Sequence, residues 1–273
     1  MIITFHTAKG AASRPEFWPA YWKSVDGGYT TLDFLPEYRV LMRYLAPKQD
    51  VLDIGCGRGM VVRDLQRRGY TVRGIDFDAD SIFDSVAQAG YFPSEVGDLN
   101  HLPYRDASFD AVLLAGTIEH VFDGPEKGFA EISRVLRPGG ILVLTIPYIN
   151  LLRKLLLPFY LSRDIIFSYL PEQRRRRFFE YVFTRSEVKR LLARTGLSVM
   201  ECRRAYYTTS LRKIPGFIKL TGLIFARNSG KPASAGAPRS SSTPKSALKK
   251  FIEGTLNLIV PNRLVVVARK PAR

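Results

Sequence analysis

The chain has 273 residues, 46% hydrophobic and 12% aromatic, which is enough for one large domain or two small ones with a packed core and excludes a wholly disordered protein. Forty-one Lys and Arg against 25 Asp and Glu leave a net charge of +16, pointing to a polyanionic neighbour such as nucleic acid or an acidic membrane surface. The only two cysteines, Cys56 and Cys202, read as lying in a tight turn and a buried strand, and they make neither a disulfide framework nor a metal spacing.

Residues 1–10 lack a basic segment followed by an apolar one, and the longest uncharged run, 138–152, is broken by Gly139, Gly140 and Pro147. Neither a secretory leader nor a membrane span is expected, and the setting is read as reducing and cytoplasmic. Residues 1–49 form an aromatic-rich cap (Phe17, Trp18, Tyr21, Trp22, Tyr29) that turns periodic over 35–45, as a helix ahead of a sheet would. From Asp50 onward apolar strands alternate with amphipathic helices, the pattern of a parallel sheet covered on both faces. Strands are expected near 50–55, 71–76, 92–96, 110–115, 141–146, 197–203 and 263–269. The fold class is therefore α/β, a Rossmann-like, doubly wound, mostly parallel sheet of seven strands.

Two helices carry the spacing of a capping box, Asp123 with Glu126 and Thr184 with Glu187. The first should end at the Pro138-Gly139-Gly140 turn, the second at Gly196. The sheet-forming unit spans 50–273, with an insertion at 148–182 and a Ser-, Pro- and Gly-rich loop at 226–247 before the last strand.

The chemistry starts at Asp53-Ile54-Gly55-Cys56-Gly57-Arg58-Gly59, where an apolar strand runs into a glycine-rich turn and then a helical pattern. Glycines permit torsions and close ligand approach that a Cβ would block, and the helix start offers unpaired N–H groups. Alone this is an ordinary tight turn as readily as a site. Asp76 ends the next strand 21 residues beyond Gly55, where a nucleotide-binding fold needs a carboxylate for two ribose hydroxyls. An NAD-linked dehydrogenase would satisfy that much. An acid two residues before the first glycine, however, would repel a pyrophosphate, and it suits the ammonium of a methionine moiety.

With the later runs Gly97 to Tyr104, Ser108 to Val112, Ile118-Glu119-His120-Val121 and Arg134 to Gly140, the chain resembles the class I S-adenosylmethionine (SAM)-dependent methyltransferases. The resemblance is to the broad group that includes ubiquinone and menaquinone methyltransferases. It implies SAM as cofactor, with Asp53, Gly55, Cys56, Gly57 and Gly59 around the methionine end and Asp76 on the ribose. It also implies Phe77, Asp98 and Leu99 at the adenine, and Ala115, Gly116 and Thr117 along the methionine arm. Glu119 and His120 follow the fourth strand, where sulfonium and acceptor would meet; His120 is the candidate base or acceptor contact, or else a packed histidine. Spacing supplies no third ligand beside them, so no metal is expected.

The acceptor is less readable. Between Arg153 and Lys213 stand 15 basic and five acidic side chains, a net +10, and residues 151–170 and 211–227 alternate apolar blocks with Arg and Lys. Such segments resemble interfacial elements beside an anionic bilayer, which would suit a small or lipid-linked acceptor such as a prenyl quinone, and equally a lid with a solvated basic face. An RNA or protein methyltransferase using the arginine run 174–177 is the rival, disfavoured by the lack of a separate RNA-binding module. A non-catalytic SAM-fold scaffold or sensor is the rival from another class. The oligomeric state is open.

Overall fold

The computed structural model describes residues 3–6, 32, 35–149, 178–205 and 263–272. In chain order these form β1 (Ile3–His6), α1 (Pro36–Tyr44), β2 (Asp50–Ile54), α2 (Met60–Arg67), β3 (Thr71–Asp76), α3 (Ala79–Ala89) and β4 (Ser94–Val96). There follow β5 (Phe109–Ala115), a 3-10 turn (Ile118–His120), α4 (Glu126–Val135), β6 (Leu136–Pro147), β7 (Phe178–Val182), α5 (Arg185–Arg194), β8 (Ser198–Ala205) and β9 (Arg263–Arg269). The interfacial candidates 151–170 and 211–227, the arginine run 174–177 and the loop 226–247 lie outside the described residues.

Seven strands join in the order β4-β3-β2-β5-β6-β9-β8. β2 to β6 pair in parallel, while β9 runs antiparallel to both β6 and β8. The winding reverses at β2, and the crevice beyond the carboxyl ends of strands at such a reversal is where open α/β sheets take ligands.

The apolar strand runs follow from burial on both faces. Leu52, Ile54, Leu114 and Leu144 pack with Phe129 of α4 and Leu192 of α5, whereas Val51, Leu113 and Val143 pack with Tyr38 and Leu41 of α1 and Leu65 of α2. Each such buried side chain contributes roughly 1.5–3 kcal/mol, so the alternation fixes the register of every central strand. α1 is also tied laterally, by the Tyr38 hydroxyl to Asp64 of α2 and by Arg43 to Glu201 of β8 at 3.0 Å.

Four features depart from the sequence expectation. α4 starts at Glu126 with Pro125 as its cap residue and no side-chain cap, because Gly124 turns the chain at φ +103 and leaves Asp123 two residues ahead of the cap. The expected turn at Pro138-Gly139-Gly140 is instead part of β6. Gly139, at φ +81, donates its N–H to the Lys270 carbonyl, and the register against β5 skips between Phe109 and Ala111, so the glycines form a bulge. β8 is an edge strand with alternating exposure, and Cys202 on it is half-buried, not buried. Finally β1 pairs antiparallel with β7 in a separate two-stranded sheet. No apolar period announces it.

The second capping box is present: Thr184 Oγ1 accepts from the Glu187 N–H, and the Glu187 carboxylate accepts from the Thr184 N–H at 2.8 Å. Thr184→Ala is expected to lower the unfolding free energy by about 1 kcal/mol in urea titrations. Asp123→Ala should change it by less than about 0.5 kcal/mol.

Candidate functional site

From Ile54 the chain bends through Gly55, Gly57 and Gly59, at φ +75, +49 and +71, into α2. Space is refused as firmly as torsion: a Cβ on Gly55 would come 2.0 Å from Thr117 Oγ1, and one on Gly59 2.2 Å from the Phe92 ring. Thr117 braces the bend further by donating to the Ile54 carbonyl at 3.3 Å. Gly59 caps α2 without a side chain, so the helix start presents bare backbone to the crevice.

Two carboxylates flank this bend. Asp76 closes β3 and accepts the Gly57 N–H at 2.7 Å and the Asp78 N–H at 2.9 Å. Burial raises its carboxyl above the usual range, and the amide donors pull against that rise. Asp53 lies opposite Gly74 of β3 and Leu113 of β5 and is buried. Burial first, and the neighbouring Asp76 charge second, push its carboxyl up to about 7. Among the described residues Asp53 accepts no side-chain hydrogen bond and meets no cation. The same burial and the same two carboxylates push the Cys56 thiol far up, so it is an inert packing group beneath the bend.

The remaining expected cofactor residues divide. Phe77 stands half-exposed beside Asp76. Ala115 ends β5, and Gly116 turns at φ +74 beneath the Arg263 guanidinium. Asp98 is exposed and accepts the Asn100 N–H at 2.8 Å, so it caps its own turn. Leu99 is buried against Gly128 in the core under the sheet edge. The structure thus gathers Asp53, the glycine bend, Asp76, Phe77 and 115–117 at one edge, and draws Leu99 inward.

Glu119 and His120 occupy the 3-10 turn after β5. Glu119 is fully buried, with Arg263 Nη1 3.0 Å from its Oε1. His120 is half-buried. Sequence reasoning missed two neighbours, Arg263 and Glu180. Arg263 opens β9, whose antiparallel run places that residue at the carboxyl edge of the parallel strands. Glu180 arrives on β7, and one donor atom from each of Glu119, His120 and Glu180 lies within 4.8 Å of the others. No spacing signal connects them.

This crevice, at the carboxyl edge of a sheet in that strand order, defines a class I methyltransferase fold. Residues 52–144 match the family described as a methyltransferase domain. A probable SAM-dependent methyltransferase of Mycolicibacterium smegmatis is 36% identical over 102 residues, 36% of this chain and 38% of that protein. A demethylmenaquinone methyltransferase of Beutenbergia cavernae is 34% identical over 98 residues, 36% of this chain and 40% of that one. The chain spans less than half the length of these curated relatives. Among solved structures, the Burkholderia thailandensis 1,6-didemethyltoxoflavin N1-methyltransferase aligns over 99% of this chain and 95% of its own at TM-score 0.56 and 18% identity. A SAM-dependent methyltransferase of Archaeoglobus fulgidus aligns over 93% and 100% at TM-score 0.56 and 18% identity. At those identities the likeness is one of fold.

A folded-state carboxyl raised from 3.8 to about 7 keeps a proton that the unfolded chain has lost, so Asp53 makes stability fall as pH rises across that window and level off above it. Asp53→Asn removes this dependence. Its unfolding free energy relative to the parent should climb between about pH 4 and pH 7 in urea titrations; a pH-independent difference contradicts the assignment.

Proposed function

We propose that this chain is a SAM-dependent methyltransferase whose cofactor lies along the glycine bend and whose acceptor enters beside the turn Ile118–His120. One observation carries the reading: Asp53 is a buried carboxylate beside a second carboxylate, with no cation supplied by the described residues. Such a group calls for a positive partner. The ammonium of a methionine moiety provides one, and a dinucleotide pyrophosphate would add a third negative group.

Bound, SAM supplies an activated methyl group on a sulfonium, open to in-line displacement. The chain's own work is then positioning and exclusion of water. Asp76, held by two backbone amides, keeps acceptor capacity for the ribose hydroxyls. The bare glycine backbone admits the methionine end closely, and half-exposed Phe77 offers a face to the adenine. His120 is the group that meets the acceptor, while buried, ion-paired Glu119 positions the edge. The relatives named for demethylmenaquinone and for ubiquinone/menaquinone biosynthesis support a small, quinone-like acceptor. The apolar and basic blocks at 151–170 and 211–227 support a lipid-linked one, reached by a cytoplasmic enzyme resting on an anionic membrane face. Among the described residues no helix is long and apolar enough to cross a membrane.

Calorimetry with SAM should give one site, weakened at least about tenfold, or roughly 1.4 kcal/mol, by Asp76→Ala and by Gly57→Val. Because Asp53 must ionise to pair with an ammonium, affinity should rise with pH through about 7 and become flat in Asp53→Asn. Unchanged affinity in the Asp76 and Gly57 variants rejects the site, and NADH binding in its place would favour the dehydrogenase reading. Sedimentation with anionic liposomes, set against RNA filter binding over the same salt series, separates the acceptor classes. The proposal expects salt-sensitive liposome binding exceeding that to RNA.

A further inference from the structure

The solvent-facing half of α5 carries Arg185, Lys189, Arg190 and Arg194, with only the small side chains of Ser186 and Ala193 between them. The one acid of the helix, Glu187, is buried and occupied by the Thr184 cap. Among the described residues none of the four cations enters an ion pair. Arg185 with Lys189 and Arg190 with Arg194 stand four residues apart, a spacing at which like charges weaken a helix. Arg185 also adds its charge at the positive end of the helix dipole. A helix that folds with such repulsion and no internal counter-charge points to an anion outside it. The patch extends onto the edge strand β8, where Arg204 shares a face with Cys202. Burial lifts the Cys202 thiol, and the charges of Arg185, Lys189 and Arg204 pull it back, so these three converge on one spot. The cations run roughly 14 Å along the helix from 185 to 194. Its first turn meets the crevice edge, because Phe183, one residue before the cap, donates its N–H to the Pro147 carbonyl at the carboxyl end of β6.

We propose that this face of α5, with Arg204 beside it, docks the chain on an anionic phospholipid bilayer and brings the crevice edge to the headgroups. The inference rests on the membrane part of the function proposed above and gives it a surface in the folded unit. A bilayer presents its anions as a plane. Ser186 and Ala193 let the helix lie close to that plane while the long side chains on either flank bend down to the phosphates. A single-stranded nucleic acid would instead ask for aromatic side chains among the cations, on which its bases stack. Among the described residues the exposed aromatics, Phe77, Phe83 and Tyr91, lie toward the β4 end of the strand row, whereas α5 packs on β8 at the other end.

The test is sedimentation of the full chain with vesicles of phosphatidylcholine, alone or mixed with phosphatidylserine, over a salt series. Binding to the mixed vesicles only, weakening as salt rises, is expected. Lys189→Gln, Arg190→Gln and Arg194→Gln combined should weaken it about fivefold per charge, or about a hundredfold in all. Arg39→Gln, Lys48→Gln and Arg67→Gln combined remove the same charge from exposed positions on the α1 and α2 side, and should cost less than about fivefold in all. The α5 variant should unfold in urea no earlier than the parent, since it relieves repulsion. No loss in the α5 variant overturns this surface and leaves the membrane reading standing. Equal losses in the two triple variants also overturn the surface, since net charge alone would then govern binding. A parent chain that ignores the mixed vesicles overturns both. RNA binding that exceeds vesicle binding and is lost only in the α5 variant overturns the proposal by assigning the face to nucleic acid. SAM affinity, measured in parallel, should be equal in parent and α5 variant, so the cofactor site stands or falls separately.

Discussion

Two like charges held in a dry place are the constraint around which this fold is arranged. Asp53 and Asp76 sit on neighbouring parallel strands, which lie about 4.8 Å apart in any sheet. Asp76 is stabilised by two backbone amides, one of them Gly57. That amide reaches it only because the bend takes left-handed torsions in space too tight for a Cβ. Asp53 has no such help, and its carboxyl rises to about 7 as a result. The bend, the strand ends and the unmet carboxylate form one device, and changing any part alters the charge state of the others.

The strands must stay in register for this to hold, and much of the clamping is done at the far edge of the sheet. Arg137 bridges Asp50 and Asp110 at 2.8 and 2.6 Å, joining the starts of β2 and β5. Arg134 gathers Glu131, Asp106 and the Tyr104 and Leu102 carbonyls. Lys270 closes the end of α4 by donating to the Ser133 and Leu136 carbonyls, both at 2.7 Å. Half-exposed pairs of this kind contribute modestly to stability. Their value lies in geometry, because a slip of one residue at β2 would carry Asp53 to the other face.

These arginines show how a sequence signal can mark a family without lying at its site. The run from Arg134 to Gly140 helped mark the family resemblance, yet it clamps the edge opposite the crevice. The central strands were legible because burial on both faces leaves unbroken apolar runs, and the crevice because its glycines and two acids sit at fixed spacings. The helix cap at Thr184 was legible for the same local reason. The one at Asp123 was not, since Gly124 and Pro125 redirect the chain before the helix begins. Asp98 and Leu99 show a subtler limit. Spacing places both at the right edge, but it cannot tell that Asp98 also caps its own turn by accepting from Asn100 and that the leucine turns into the core.

The edge proposed above for the acceptor was hidden for a different reason. It is assembled from the turn after β5, from β7 and from the start of β9, each bringing a charged residue from a distant part of the chain. β7 owes its place to pairing with β1, a contact across most of the sequence that leaves no local period to read. The cofactor edge, by contrast, is built mainly from one continuous stretch, 53–117. A crevice encoded locally and a neighbouring edge assembled at long range are separable, so substitutions at 119, 180 or 263 can change that edge while the bend and its two carboxylates stay intact.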